Sequence, residues 1–128
     1  IIKLVEAGFY NGLRFHRAER IPRPFLVQVG DPNSKDGDLN SRGMGQGGTG
    51  ATIPFEETGL SHVEGAVGLA RDPSDKNSGD SQFYFMLSDN KFLDGKYTVF
   101  GQIVGNGLTI LKSIDKGDRI TTARIERK

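Results

Sequence analysis

The sequence predicts a mainly β fold, an antiparallel barrel or sandwich carrying two short helices. Three observations lead there. Apolar, β-branched and aromatic residues cluster in short runs separated by turn chemistry. Glycine is unusually frequent, with 18 residues among 128, as expected of a chain with many turns and closely approaching backbones. Helical spacing is confined to two short segments, neither long enough to carry the crossover of a parallel sheet.

The first helical segment opens the chain, where Ile1, Leu4 and Val5 share a face and Gly8 marks a stop. The second runs from Leu108 to about Ile114, its apolar stripe ending before Gly117. Between them, Phe25 to Val29 reads as a strand closed by Gly30-Asp31-Pro32. Ala66 to Ala70, Phe83 to Leu87 and Thr98 to Val104 read alike, with a turn at Asp94-Gly95 before the last. Thr122 to Arg127 alternates, placing Ala123 and Ile125 on one face of a final strand. Asp31 to Gly50 is polar, Gly-rich and aperiodic; a loop of that length in a compact domain is functional or mobile. Residues 1–128 contain neither repeats nor a linker and are expected to form a single domain.

Composition excludes several classes of function. The formal charge is +1, with 17 basic against 16 acidic side chains, so nucleic acid is not an expected partner. No apolar stretch approaches the roughly 18 residues of a membrane span. The absence of cysteine removes disulfides, thiolate metal sites and a Cys nucleophile, and leaves the compartment undefined. His16 and His62 are too few for a histidine-based metal site, and neither metal nor cofactor is expected. His16 reads as a satisfied buried group and His62 as loop surface.

Isolated motifs fall away on inspection. Gly43 to Gly48 matches G-x-G-x-x-G, but a polar loop precedes it and no helix follows, so it reads as a surface loop. Asp31, Asp36 and Asp38 do not follow a calcium-loop pattern, since Asp36 and Arg42 occupy positions that require Gly and Glu. No nucleophile elbow accompanies the available Ser, His and Asp residues.

Four ordered segments are more specific: Phe15-His16-Arg17, Phe25-Leu26-Val27-Gln28-Val29-Gly30-Asp31, Ser81-Gln82-Phe83-Tyr84, and Phe92-Leu93-Asp94-Gly95-Lys96-Tyr97-Thr98-Val99-Phe100-Gly101. Gln28 and Gln82 stand out, since each adjoins an apolar run where its amide needs a partner. In order and spacing these segments closely resemble the cyclophilin-type peptidyl-prolyl cis/trans isomerase family, and the likeness covers nearly the whole chain. It implies an antiparallel β-barrel with two flanking helices, of which the two opening strands have no counterpart before Ile1. A further segment or a separate chain is therefore expected to complete the barrel. The link Ala18 to Pro24 is longer than is usual in the family. Arg71 stands where many members carry Asn, Tyr97 where His is common, and Phe92 where Trp is common. The last change implies weak binding of cyclosporin-type drugs.

The resemblance also implies roles. Arg17, Gln28 and Phe25 would be catalytic, with Arg17 donating to the prolyl nitrogen and Gln28 binding the substrate carbonyl. Phe25, Leu26, Tyr84, Phe92 and Leu93 would hold the proline ring, with Tyr97 at the rim. Gln82 would place Arg17 or the substrate, and Ala70 and Arg71 would offer main-chain bonds. Rotation about an Xaa-Pro bond breaks no covalent bond, so a chain without nucleophile, metal or cofactor suits it. The implied partners are proline-containing peptides and unfolded proteins. A non-catalytic binding module for proline-containing segments is the alternative.

Overall fold

A computed structural model describes residues 1–127. Five strands form one antiparallel sheet in the order β1-β2-β4-β3-β5. These are β1 (Arg17–Glu19), β2 (Leu26–Val29), β3 (Ala66–Leu69), β4 (Phe83–Met86) and β5 (Val99–Gln102). Two helices, α1 (Ile2–Glu6) and α2 (Gly107–Lys112), complete the regular structure.

The mainly β, antiparallel expectation and both helices hold, and the sheet of this chain is open rather than closed into a barrel. The sheet has two edges, β1 and β5, because each of these strands has a ladder partner on one side only. The final strand expected over residues 122–127 is likewise absent from the ladder. That segment is held by other means: the Ala123 amide donates to Asn11 Oδ1 at 2.9 Å, and its methyl packs on the core. Alternation there records one buried face, which needs no strand partner.

Period-two alternation gives the sheet two distinct faces. Val27, Val29, Phe83 and Phe85 point to one side, where Leu4 and Val5 of α1 and Leu108 and Leu111 of α2 cover them. Tyr10, Leu13 and Phe15 fill the same layer. Leu26, Tyr84 and Met86 point to the other side, joining Ala66 and Val99 in a smaller cluster that Phe25, Leu93 and Tyr97 border. All four residues of β2 are buried because both its faces are covered, which is why its sequence reads as a continuous apolar run broken only by Gln28.

Register then fixes which polar groups meet. Arg17 pairs with Gln28, Gln28 with Tyr84, and Tyr84 with Gly68, making one row across four strands. A slip of one residue would send that whole row into the helix-covered core.

The long loop begins at Asp31, the N-cap of a 3-10 turn over Pro32–Ser34. Arg14 pins its start, its Nε donating to Ser34 O at 2.6 Å and its Nη2 to Gly37 O. Gly30, immediately before, has φ +116°, and an added Cβ would lie 2.4 Å from the Ser81 carbonyl oxygen and 2.7 Å from Gln82 Cα. Both objects are backbone and cannot swing aside. Gly30→Ala should therefore destabilise the protein by about 2–4 kcal/mol, read as a lower urea midpoint with unchanged slope. A loss below about 0.5 kcal/mol would contradict this packing.

Candidate active site

A cleft of about 840 Å³ opens on the face of the sheet away from the helices. Its volume suits several residues of an extended peptide rather than a lone side chain. Arg17, Phe25, Leu26, Gln28, Ala70, Arg71, Gln82, Tyr84, Leu93 and Tyr97 all line it. Ten of the eleven residues singled out from the sequence are thus brought together. Phe92 is the exception: it is 86% exposed and borders a separate groove with Ile21 and Lys91. The 3-10 turn Lys91–Leu93 causes the split, turning Leu93 inward and its neighbour outward.

The polar part of the cleft is one directed relay. Gln82 Nε2 donates to the carbonyls of Gly45 and Gly47 at 2.9 and 2.8 Å. Both of its amide hydrogens are thereby engaged, so its Oε1 must accept. It accepts from Gln28 Nε2 at 2.9 Å, and Gln28 Oε1 accepts in turn from Arg17 Nη1 at 3.2 Å. Arg17 is further held by Glu19 Oε1, 2.9 Å from its Nε, and its guanidinium carbon lies 5.9 Å from the Phe25 ring centroid. The Glu19 pair is exposed and contributes little stability. One hydrogen of Gln28 Nε2 and the remaining donors of Arg17 have no protein partner among the described residues.

The relay is anchored by Asp31, which the loop buries completely. Its carboxylate accepts from the amides of Gly45 at 2.7 Å, Gly47 at 3.3 Å and Asn33 at 2.8 Å. A Cβ at residue 47 would stand 2.1 Å from Asp31 Oδ1, so glycine there permits the carboxylate to reach the backbone. The Gly-rich stretch serves this close approach, and no helix follows it to cradle a phosphate. The aspartates 31, 36 and 38 do not converge, and no cluster of potential metal ligands occurs among the described residues.

The apolar part lies beside the relay. Tyr84 and Tyr97 meet edge to face with centroids 6.2 Å apart, and Arg71 covers Tyr97 at 4.3 Å. Arg71 is held there by Nε and Nη2 bonds to Lys96 O at 2.9 and 2.7 Å, so its side chain as well as its backbone builds the wall. The Ala70 amide donates to Gln82 O at 3.0 Å and is not free for a ligand. The Arg71 amide and the carbonyls of residues 70 and 71 have no protein partner among the described residues.

His62 corrects its expectation. It is fully buried rather than loop surface, with Nδ1 2.8 Å from Asp94 Oδ1 and Nε2 2.6 Å from Tyr84 Oη. Ser61 Oγ donates to the same carboxylate, so Ser, Asp and His are adjacent but wrongly connected for hydrolysis: the imidazole faces a tyrosine and not the serine. Burial pushes the Tyr84 pKa up, keeping its hydroxyl protonated. His16 is also buried, but its Nδ1 has no partner, contrary to a satisfied group, and desolvation lowers its pKa. The signal that could have found His62 lay outside the four segments: a histidine in a polar stretch gives no periodicity to read.

The family model for the cyclophilin-type peptidyl-prolyl cis-trans isomerase/CLD matches residues 1–128. A "Probable peptidyl-prolyl cis-trans isomerase" of Brucella abortus is 37% identical over 129 residues, covering 98% of this chain and 63% of that protein. The chain thus spans somewhat less than two thirds of that relative. "Peptidyl-prolyl cis-trans isomerase B" of Bacillus subtilis is 37% identical over 124 residues, covering 97% of this chain and 78% of that protein. A cyclophilin-type isomerase crystal structure from Cryptosporidium parvum, determined in the presence of the dipeptide Ala-Pro, aligns with TM-score 0.77 and 25% identity. That alignment covers 99% of this chain and 82% of the other.

Two outcomes follow from the geometry. Gln82→Glu puts a carboxylate oxygen against the Gly45 and Gly47 carbonyls in place of a donor, and should lower stability by about 1–3 kcal/mol in denaturant titrations. Asp94 is held at about 2, chiefly by the Ser61 hydroxyl and then by the His62 amide and ring. A depressed folded value means its contribution is complete above about pH 4 and is lost as pH falls toward 2. The Asp94 carboxyl carbon should titrate in NMR with a midpoint near pH 2; an ordinary midpoint near 4 would contradict the bonding described.

Proposed function

This chain belongs to the cyclophilin-type peptidyl-prolyl cis-trans isomerase family, and from that premise we propose that residues 1–128 act as one domain catalysing rotation about Xaa-Pro bonds. The observation that carries the reading is the row of Arg17, Gln28 and Tyr84 on one sheet face, where a permanently charged donor borders an apolar pocket.

The barrier to rotation, about 18–20 kcal/mol, comes from amide resonance. A catalyst must bind the twisted amide better than either planar isomer. On twisting, the prolyl nitrogen loses conjugation and gains lone-pair character. The Arg17 guanidinium cannot lose its proton, so it offers a donor to that nitrogen at every physiological pH. Phe25, Leu26, Tyr84 and Leu93 receive the proline ring, with Tyr97 at the rim. Gln28 uses its remaining amide hydrogen on the substrate carbonyl, while Gln82 holds the Gln28 amide in the orientation this requires. The free backbone groups of residues 70 and 71 bind the segment preceding proline. Phe92 has no place in the ring pocket. A millionfold acceleration requires about 8 kcal/mol of differential stabilisation, within reach of several such contacts acting together.

The substrates under this reading are proline-containing peptides and incompletely folded proteins, consistent with the Ala-Pro dipeptide present with the Cryptosporidium parvum relative. The unpartnered donors of Arg17 beside the pocket favour catalysis over mere binding, since a donor to the prolyl nitrogen gains its acceptor only as the amide twists. Exchange NMR on an Ala-Pro test peptide should show faster cis/trans interconversion with the protein. Arg17→Ala should lower that acceleration about a hundredfold. Peptide binding without acceleration by the unaltered protein would leave a binding module instead.

A further inference from the structure

We infer that His62 and Asp94 are positioning residues, joined to Tyr84 in a buried tether that sets the width of the proline pocket. The inference rests on the assignment of that pocket in the proposed function and adds to it two residues that do not touch substrate.

The two walls of the pocket come from separate pieces of chain. Tyr84 stands on β4, whereas Leu93 and Tyr97 flank the turn at Asp94-Gly95. No strand ladder joins these pieces, because β3 lies between β4 and β5. The imidazole of His62 spans the gap with its two ring nitrogens, one on each wall. It is 0% exposed and lies nearly parallel to the Tyr84 ring, at 15° with centroids 5.8 Å apart.

The direction of each bond follows from chemistry. A carboxylate only accepts, so His62 Nδ1 carries the proton that Asp94 receives. In the neutral ring Nε2 is then an acceptor, and the Tyr84 O–H donates to it. The His62 backbone amide donates to the same carboxylate oxygen at 2.7 Å, and Ser61 Oγ occupies the other oxygen. The turn is thus fastened to residues 61 and 62 by three bonds, and the tyrosine by one. Gly68 makes the last bond possible, since a Cβ there would lie 2.3 Å from Tyr84 Cζ and Oη. Without that vacancy the tyrosine could not lie flat across β3 and reach His62.

A phenylalanine would make an equally apolar wall. What the hydroxyl adds is restraint: Tyr84 cannot swing away from β3 without leaving two buried polar groups unpaired. The wall receives the proline ring before the amide twists as well as during it, so a displaced wall weakens binding of the peptide more than it slows the rotation itself.

The test combines spectroscopy with kinetics on the full chain. Long-range proton–nitrogen NMR at pH 8 should show His62 protonated on Nδ1 and bare on Nε2; a proton on Nε2 with Nδ1 bare overturns the tether whatever the catalytic result. With an Ala-Pro test peptide, Tyr84→Phe and His62→Leu should each raise KM about three- to tenfold, a larger factor than any fall in kcat. The double variant should be no worse than the poorer single one, because both break one chain. Asp94→Asn, which keeps an acceptor oxygen for Nδ1, should lie closer to the unaltered protein than Asp94→Ala. An unchanged KM in Tyr84→Phe, or strictly additive effects in the double variant, overturns the tether. If His62→Leu does not fold, Tyr84→Phe, which removes a single oxygen, decides the matter alone. If the unaltered protein binds the peptide without accelerating exchange, the isomerase reading fails by itself, and the same comparisons are made with Kd in place of KM.

Discussion

Two backbone carbonyls, those of Gly45 and Gly47, set the direction of the polar relay through Gln82, Gln28 and Arg17. They engage both amide hydrogens of Gln82, which turns its oxygen toward Gln28, which turns its own oxygen toward Arg17. An amide side chain has two nearly isosteric orientations, and an unconstrained pair of glutamines would sample both. Here the loop removes the choice. The carbonyls are held in turn by the Asp31 carboxylate, which takes the amides of the same two glycines. A buried carboxylate without partners would be prohibitively unfavourable; one that accepts three backbone amides is stabilised and ties the Gly45–Gly47 part of the loop to its start.

The sheet supplies what the loop cannot. Its two faces divide the work: one packs against α1 and α2, and the other is left open for ligand. Antiparallel register brings Arg17, Gln28, Tyr84 and Gly68 abreast although they lie on four strands. Gly68 and Tyr84 are a matched pair, the missing side chain of one giving room to the ring of the other. The donors and the Tyr84 wall of the pocket therefore share a rigid frame, and the distances between them follow from backbone pairing more than from side-chain freedom.

Polar satisfaction is nearly complete in this region. Gln28, Gln82, Asp31 and His62 are all buried, and each has hydrogen-bonded partners. His16 is the one buried side chain among the described residues with an unpartnered polar atom, its Nδ1. Its ring touches the space above Gly45, beside the loop that carries the relay. A desolvated neutral imidazole is tolerated there because its lowered pKa avoids placing another cation next to Arg17.

Much of this was legible in the residues alone. Short apolar runs and turn residues were enough for an antiparallel β fold, because strand period and turn chemistry are local properties of the chain. Gln28 and Gln82 declared themselves as polar groups beside apolar strands, and the four ordered segments contain eight residues of the cleft, Ala70 and Arg71 lying between them. The rest depended on contacts between distant residues. Sequence periodicity cannot distinguish a ladder strand from an extended segment pinned by one side chain, so residues 122–127 were read as a strand. Nor can it tell that a turn of three residues sends Leu93 inward and Phe92 out. His62 was hidden for the same reason: its burial comes from Asp94 and Tyr84, which lie 32 and 22 positions away. The kind of fold and the chemical groups of the site follow from the residues alone, since both are written in local pattern and residue type. Which of those groups face one another depends on register, loop closure and burial, and these are settled by the whole chain at once.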